Sequence, residues 1–492
     1  MERFVCIHGH FYQPPRENPF TGEVQDQPAA HPYPNWNERI NAESYAPNLK
    51  ARILDEQGNL AGTVNNYGWI SFDVGPTLLS WLQDHAPDTY RGIIEADRLS
   101  MTNFGSHGSA MAQSYNHTIL PLSTDRDKRT QVKWGIADFK HRFGRDPDGM
   151  WLPEAAVDTR TLEILSEEGI AFTVLSPYQA VVVEEPSGEL DVSDGSIDPR
   201  VPYFVQTAPG RRIAIFFYDG PLSQQIAFNG LLEDGHRLAG ALVGAFGASS
   251  AEPVMVNVAT DGETFGHHHK FGEMALATAI ETLRSDPGLR LTNYATYLAS
   301  HPPRRQVRIA ESSSWSCSHG VERWRSNCGC STGGEPGWNQ EWRGPLRVAL
   351  DWMYQDVSND FETSGQRYLG DPWAARDDYI DVLLGGSRAD FLERHGVDGV
   401  APEDEEKVWV LLEIQHRAML MYTSCGWFFN DIAGLESTFV LRQAGRVIEL
   451  MRSLNGHDLE PVFLRHLDRA VSNRGVTGRE IFATEVAPFM LA

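Results

Sequence analysis

The chain has 492 residues, 41% of them hydrophobic, and a formal net charge of −24 from 66 acidic and 42 basic side chains. That length exceeds one ordinary core and predicts at least two domains. The charge argues against nucleic acid as a partner, because phosphate binding draws on a surplus of Lys and Arg, and it suits a neutral substrate.

The N-terminal MERFVCIHGH lacks a basic region followed by an apolar run, and no stretch of about eighteen apolar residues occurs, so neither a signal peptide nor a membrane span is predicted. The 5 cysteines imply no disulfide framework, and a cytoplasmic location is the expectation.

In chain order, FVCIH (4–8) reads as a first strand, followed by the loop HGHFYQPPREN and a polar excursion over 17–44. YAPNLKARILDEQG predicts a helix ending at Gly58, GTVNNYG a second strand, PTLLSWLQDHAP a helix with Pro76 in its first turn, and RGIIEAD (91–97) a third strand. An irregular stretch over 98–125 precedes the amphipathic helix DKRTQVKWGIADFKHRFG. GMWLPE is the fourth strand, stopped by Pro153, and Asp158 can cap the helix TRTLEILSEEG. IAFTVLSP is the fifth strand. Residues 180–210 form a second polar excursion, RIAIFFYDG is the sixth strand, and PVMVNVATDGE the seventh, before the helix MALATAIETLRSD.

Strand and helix alternate, and several strands are continuous apolar runs, as in a parallel sheet covered on both faces. The expectation is an α/β fold: a seven-stranded parallel β/α barrel over 1–300, then a Trp- and Cys-rich loop region over 301–345, then a mainly α-helical domain over 346–492. In that last region Val410, Ile414, Ala418 and Met421 share one helix face, and Leu441, Ala444, Ile448 and Met451 another.

Strand C-termini of a parallel barrel lie at one end, which brings together His10 and Gln13 after strand one, Glu154 after strand four, and Asp261 with Glu263 after strand seven. Two converging carboxylates are the equipment for glycoside cleavage: one ionised to attack the anomeric carbon, the other proton-bearing for the leaving oxygen. Trp151, Phe265 and Trp315 are candidate apolar platforms for sugar rings, and one of His267, His268 and His269 lines the cleft, with His267 taken as the substrate contact.

These stretches resemble glycoside hydrolase family 57. HGHFYQP (8–14), SYNHTILPL (114–122), GMWLPEAA (149–156) and TDGETFG (260–266) are similar to its first four motifs, and SSSWSCSHGVERW (312–324) corresponds to a fifth. The resemblance implies a seven-stranded β/α barrel with a following helical region, a retaining mechanism, and α-glucans as substrates. It implies Glu154 as nucleophile, Asp261 as general acid/base, and His10 and His117 as sugar contacts. Tyr12 stands where relatives often carry a second histidine, and the fifth motif is unusually rich in cysteine.

Three other readings accompany this one. His8, His10 and the histidine run could supply a zinc site for a metal-dependent polysaccharide hydrolase or deacetylase. The cleft could belong to a non-catalytic carbohydrate-binding protein. Cys317, His319, Cys328 and Cys330 have the ligand count of a structural zinc site, but their C-x-H and C-x-C spacings are not the usual C-x2-C knuckles. Free thiols, or a pairing of Cys317 with one of the others, are therefore the expectation, and no metal or cofactor is assigned.

Overall fold

A computed structural model describes residues 2–490 apart from 56, 187, 248–251 and 398–399. The chain divides into two compact units: Met1–Gln13, Asp26–Gln113 and Phe139–Glu311 form the first, and Pro14–Gln25, Ser114–Asp138 and Ser312–Ala492 the second.

The first unit is built on seven strands, β1 (Arg3–Phe11), β2 (Ser71–Val74), β3 (Ala110–Gln113), β4 (Met150–Trp151), β5 (Phe172–Leu175), β6 (Arg211–Phe217) and β7 (Val254–Asp261). Parallel ladders run in the order β7-β1-β2-β3-β4, and a second parallel ladder joins β5 to β6. A parallel bridge between Gly149 and Phe172 links β4 to β5. The ring returns to β7 where Asp219 N–H donates to the Asn257 carbonyl at 2.8 Å and Asn257 Nδ2 donates to the Phe217 carbonyl at 3.1 Å. This is the expected seven-stranded parallel barrel, with two thin seams. β1 and β7 are buried along nearly their whole length, which is why they read as continuous apolar runs.

Two barrel strands are not where the sequence places them. Leu60–Val64, which overlaps only the start of the expected second strand GTVNNYG, pairs antiparallel with Ala51–Leu54 in a separate hairpin, and the helix expected to reach Gly58 stops at Leu49. RGIIEAD lies within the helix Pro87–Phe104, which buries Ile93, Ala96, Asp97, Ser100 and Phe104 at helical spacing and ends on left-handed Gly105. A short apolar run does not distinguish a strand from a buried helical turn, and here the length of the periodic segment decides. The true second and third strands are only 4 residues each, SFDV and AMAQ. The excursion at 180–210 contains three further strands, which extend the sheet from β6 together with Arg305–Ile309.

The second unit is mainly helical. Its longest helices are Arg343–Gly365, Pro402–Leu420 and Leu435–Asn455. One core cluster joins Trp134, Phe361, Phe391, Trp409, Leu412 and Met419. Within it Arg376 pairs with Asp127 at 2.8 Å, both largely buried, and Tyr354 donates to the other carboxylate oxygen. Ile414, Ala418, Met421 and all four residues of the second expected face are buried, and Val410 is half-buried. Asp431 is buried at a helix junction, where it accepts from Ser472 Oγ and the Asn473 backbone. Among the described residues no helix is long and apolar enough to cross a membrane.

Gly262, at the turn after β7, lets the chain pass against the ring of Phe11: a Cβ there would stand 2.3 Å from Phe11 Cδ1 and 2.4 Å from Cγ. Phe11 is completely buried and has no room to retreat. Gly262→Ala is expected to lower unfolding free energy by about 1–3 kcal/mol, read as a lower denaturant midpoint at unchanged slope.

Candidate active site

The register of the barrel sets one row of polar side chains across three neighbouring strands. Asp261 of β7 lies opposite His10 of β1, and His10 lies opposite Asp73 of β2. Side chains two apart on a strand share a face, so His8 accompanies His10, and Ser71 accompanies Asp73. Asp73 divides its two oxygens between the histidines: Oδ2 lies 2.8 Å from His10 Nδ1, and Oδ1 lies 3.0 Å from His8 Nε2. Ser71 Oγ lies 3.1 Å from the other ring nitrogen of His8.

The two histidines differ in charge. Burial lowers the His8 pKa, outweighing its bond to Asp73, and the neighbouring His10 adds to that. A neutral His8 then donates from Nε2 to Asp73 and accepts the Ser71 hydroxyl at Nδ1. Burial also opposes charge on His10, but Asp73, helped by Asp261 and Glu263, prevails and raises its pKa to about 9. His10 is therefore an imidazolium at neutral pH, with protons on both ring nitrogens.

Trp151, at the end of β4, is completely buried and stacks on both rings, 4.8 Å from His8 and 5.1 Å from His10 between centroids. Its π face against the His10 cation is a favourable contact. Pro153 stops the strand, and the next two residues take left-handed backbone, Glu154 with φ 57° and Ala155 with φ 47°. Such conformations cost non-glycine residues on the order of 1–2 kcal/mol each, and they persist only where the surroundings hold them. The turn is held by Ala155 N–H on the Leu152 carbonyl and by Gln179 Nε2 on the Ala155 carbonyl, both at 2.8 Å. Glu154 itself is half-buried.

The turn after β7 carries two carboxyl groups in unlike settings. Asp261 is exposed and Glu263 is buried. Glu263 Oε1 accepts from Tyr45 OH at 2.6 Å and from Tyr12 N–H at 3.1 Å. Burial pushes the Glu263 carboxyl up to about 7, the bond from Tyr45 pulls the other way, and the charge of Asp261 adds to the rise. The same turn is braced by Ser44 Oγ and Asn48 Nδ2, which donate to the Phe265 carbonyl at 3.0 and 2.8 Å.

Residues 29–310 match the model of glycosyl hydrolase family 57, over more than half of the chain. The chain belongs to glycosyl hydrolase family 57. Beyond the family 57 segment, residues 338–492 match a domain of unknown function, DUF3536. Among curated family 57 relatives, the 4-alpha-glucanotransferase of Thermococcus litoralis is 24% identical over 49% of this chain and 35% of its own length. An alpha-amylase of Pyrococcus horikoshii is 24% identical over 56% of this chain and 40% of its own length. The chain thus matches well under half of each of these relatives. The fold is shared with an exo-type maltose-forming amylase from Pyrococcus sp. ST04, at TM-score 0.73 and 17% identity over 98% of this chain and 88% of that one. It is shared also with the family 57 branching enzyme of Pyrococcus horikoshii, at TM-score 0.57 and 16% identity over 99% and 97%.

The remaining site residues read from the family 57 motifs fall in both units. Gln13 is buried, with Nε2 donating to the Tyr12 carbonyl. Phe265 is fully buried, so like Trp151 its ring packs against protein in this structure. His267 pairs with Glu43, His269 meets the Ala227 carbonyl, and His268 approaches Thr264, so the three consecutive rings turn to separate partners. His117 and Trp315 belong to the second unit. There His117 has left-handed backbone, and its Nδ1 lies 2.6 Å from Ser424 Oγ.

Sequence reading missed Asp73, Tyr45 and Gln113. Asp73 had a signal, an acidic residue near the end of a short strand before Gly-Pro, the same placing as Asp261. Tyr45 had none. Gln113 ends β3 in register with Trp151, is 2% exposed, and neither amide atom has a partner among the described residues.

Proposed function

We propose that this chain is a retaining glycoside hydrolase or glycosyl-transferring enzyme acting on α-linked glucan, with Glu154 as nucleophile and Asp261 as general acid/base. The observation that carries the reading is a shared barrel end. Glu154, held in left-handed backbone after β4, and Asp261, in one row with His10 and Asp73, both sit at strand C-termini. The names of the curated relatives support the substrate class.

In this reading the Glu154 carboxylate attacks the anomeric carbon while Asp261 gives its proton to the departing glycosidic oxygen. A glycosyl ester on Glu154 results. Asp261 then takes a proton from water or from an acceptor sugar hydroxyl, whose oxygen displaces Glu154 with net retention. The His10 imidazolium donates to hydroxyls of the bound sugar, and the unpartnered Gln113 amide is a further group of that kind. Burial keeps the proton on Glu263 up to about pH 7.

The test is product analysis with a maltooligosaccharide ladder and amylose. Wild type is expected to shorten or redistribute the chains, and Asp261→Asn to leave them unchanged apart from a slow residual reaction. Release of reducing ends separates hydrolysis from transfer. A ladder that wild type leaves intact over long incubation overturns the α-glucan reading.

A further inference from the structure

The Ser- and Cys-rich stretch of the second unit folds its four soft side chains onto one point. The ligating atoms of Cys317, His319, Cys328 and Cys330 all lie within 4.8 Å of one another. Cys317 Sγ stands 3.9 Å from Cys328 Sγ, and Cys330 Sγ stands 3.5 Å from His319 Nδ1. A tetrahedral zinc with Zn–S near 2.3 Å and Zn–N near 2.0–2.1 Å has edges of about 3.8 Å between sulfurs and about 3.5 Å between sulfur and nitrogen. Both separations fit such a tetrahedron.

The backbone explains how unusual spacings achieve this. Gly329, between Cys328 and Cys330, takes φ +83°, which turns the chain sharply between the two thiols. On the other arm Gly320 takes φ +81°, and its N–H closes a turn on the Cys317 carbonyl at 3.2 Å. The C-x-H and C-x-C pairs thus sit in glycine turns rather than in knuckles.

Charge points the same way. Arg343 is completely buried, and among the described residues it makes no ion pair with a carboxylate. Its Nη1 lies 4.0 Å from Cys328 Sγ, while Nη2 donates to the Phe428 and Phe429 carbonyls. A buried guanidinium without a counter-ion is costly. Three thiolates and a neutral imidazole around a dication carry one net negative charge, which Arg343 offsets. Three neutral thiols carry none.

The stretch also needs a fastening. Residues 331–339 are exposed except for half-buried Trp338, and the only regular element between Ser312 and Trp342 is the short turn Glu322–Trp324. The segment is anchored by buried Val321, Trp324 and Trp342, while the exposed part between Cys330 and Gln340 has little packing of its own to hold it.

We propose that Cys317, His319, Cys328 and Cys330 bind one zinc ion in a closed, structural four-ligand site. Thiolate and imidazole donors in tetrahedral array select zinc among common divalent ions. Four protein ligands leave no open position, so the ion fastens the loop rather than performing chemistry. On binding, the three thiols lose their protons to solvent and their sulfur lone pairs go to the metal. Trp315 lies on the same segment and is fixed with it. The proposal is independent of the assignment of Glu154 and Asp261.

The test uses the full chain, purified under reducing conditions without chelator. Elemental analysis is expected to give one zinc per chain. Exchange with cobalt(II) is expected to give tetrahedral d–d bands and an intense sulfur-to-cobalt charge-transfer band, weakened by Cys328→Ser and shifted by His319→Ala. A Cys328→Ser/Cys330→Ser chain should lose the zinc, with circular dichroism to confirm that its helices remain. Reduced wild-type protein that holds no zinc and gives no thiolate-to-cobalt band overturns the proposal, as does full retention of zinc by the double variant. A native disulfide among Cys317, Cys328 and Cys330, found by mass spectrometry, overturns it too.

Discussion

Glu154→Gln is expected to lower turnover on α-glucan on the order of 10,000-fold or more, with the thermal midpoint within about 2 °C of wild type. The amide has the size and shape of the carboxyl group but is a poor nucleophile and carries no charge to meet the developing cation at the anomeric carbon. The turn that presents residue 154 is held by Ala155 N–H on the Leu152 carbonyl and by Gln179 Nε2 on the Ala155 carbonyl, and glutamine keeps the side-chain length and hydrogen-bonding capacity of glutamate there. Glu154→Gly sharpens the test. Glycine accepts φ 57° without the cost borne by other residues, on the order of 1–2 kcal/mol, so this inactive variant should unfold no earlier than wild type and even later. Strain retained for structure predicts the reverse, an unstable glycine variant. Azide added to Glu154→Gly should enter the vacated space and yield a glycosyl azide of inverted configuration, because the small anion replaces the attacking group. Turnover of Glu154→Gln within tenfold of wild type overturns the nucleophile assignment, whatever the stability data show.

The ends of β4 and β7 were legible because each is an apolar run stopped by Pro or by Asp-Gly, with the acidic residue just beyond. β2 and β3 were not, and the reason lies in the site itself. SFDV carries a fully buried aspartate, so it breaks the apolar pattern by which buried strands are recognised. What stabilises Asp73 there is His8 and His10, about 65 residues away in the chain, and no local pattern reports that pairing. Where a local rule fails in an otherwise consistent sequence, a functional site is the expected cause. Tyr45 illustrates the further limit: its partner Glu263 is 218 residues distant, and nothing near Tyr45 marks it. The helical unit was legible from its periodic faces. The Cys/His cluster was visible as composition but not as geometry, because glycine turns rather than sequence spacing bring the thiols together.

Asp73→Asn is expected to undo the charge of the site while leaving its outline. In wild type Asp73 is what holds the His10 pKa at about 9 against burial. With a neutral amide, burial prevails, and His10 should titrate below its ordinary 6.5. At pH 7 the ring then changes from imidazolium to neutral, which nitrogen chemical shifts of labelled histidine report directly. Stability follows with a definite sign. A histidine whose folded pKa is raised contributes fully below the unfolded value of 6.5, and the contribution is lost as pH climbs through about 9. A rise from 6.5 to about 9 corresponds to about 3 kcal/mol. Wild type should therefore exceed Asp73→Asn by its widest margin at pH 6, and the gap should narrow steadily toward pH 9. A margin that stays constant over that range means that Asp73 serves packing alone. Turnover should fall together with the charge, through KM as well as kcat, because a neutral imidazole is a weaker hydrogen-bond donor to the sugar than the imidazolium.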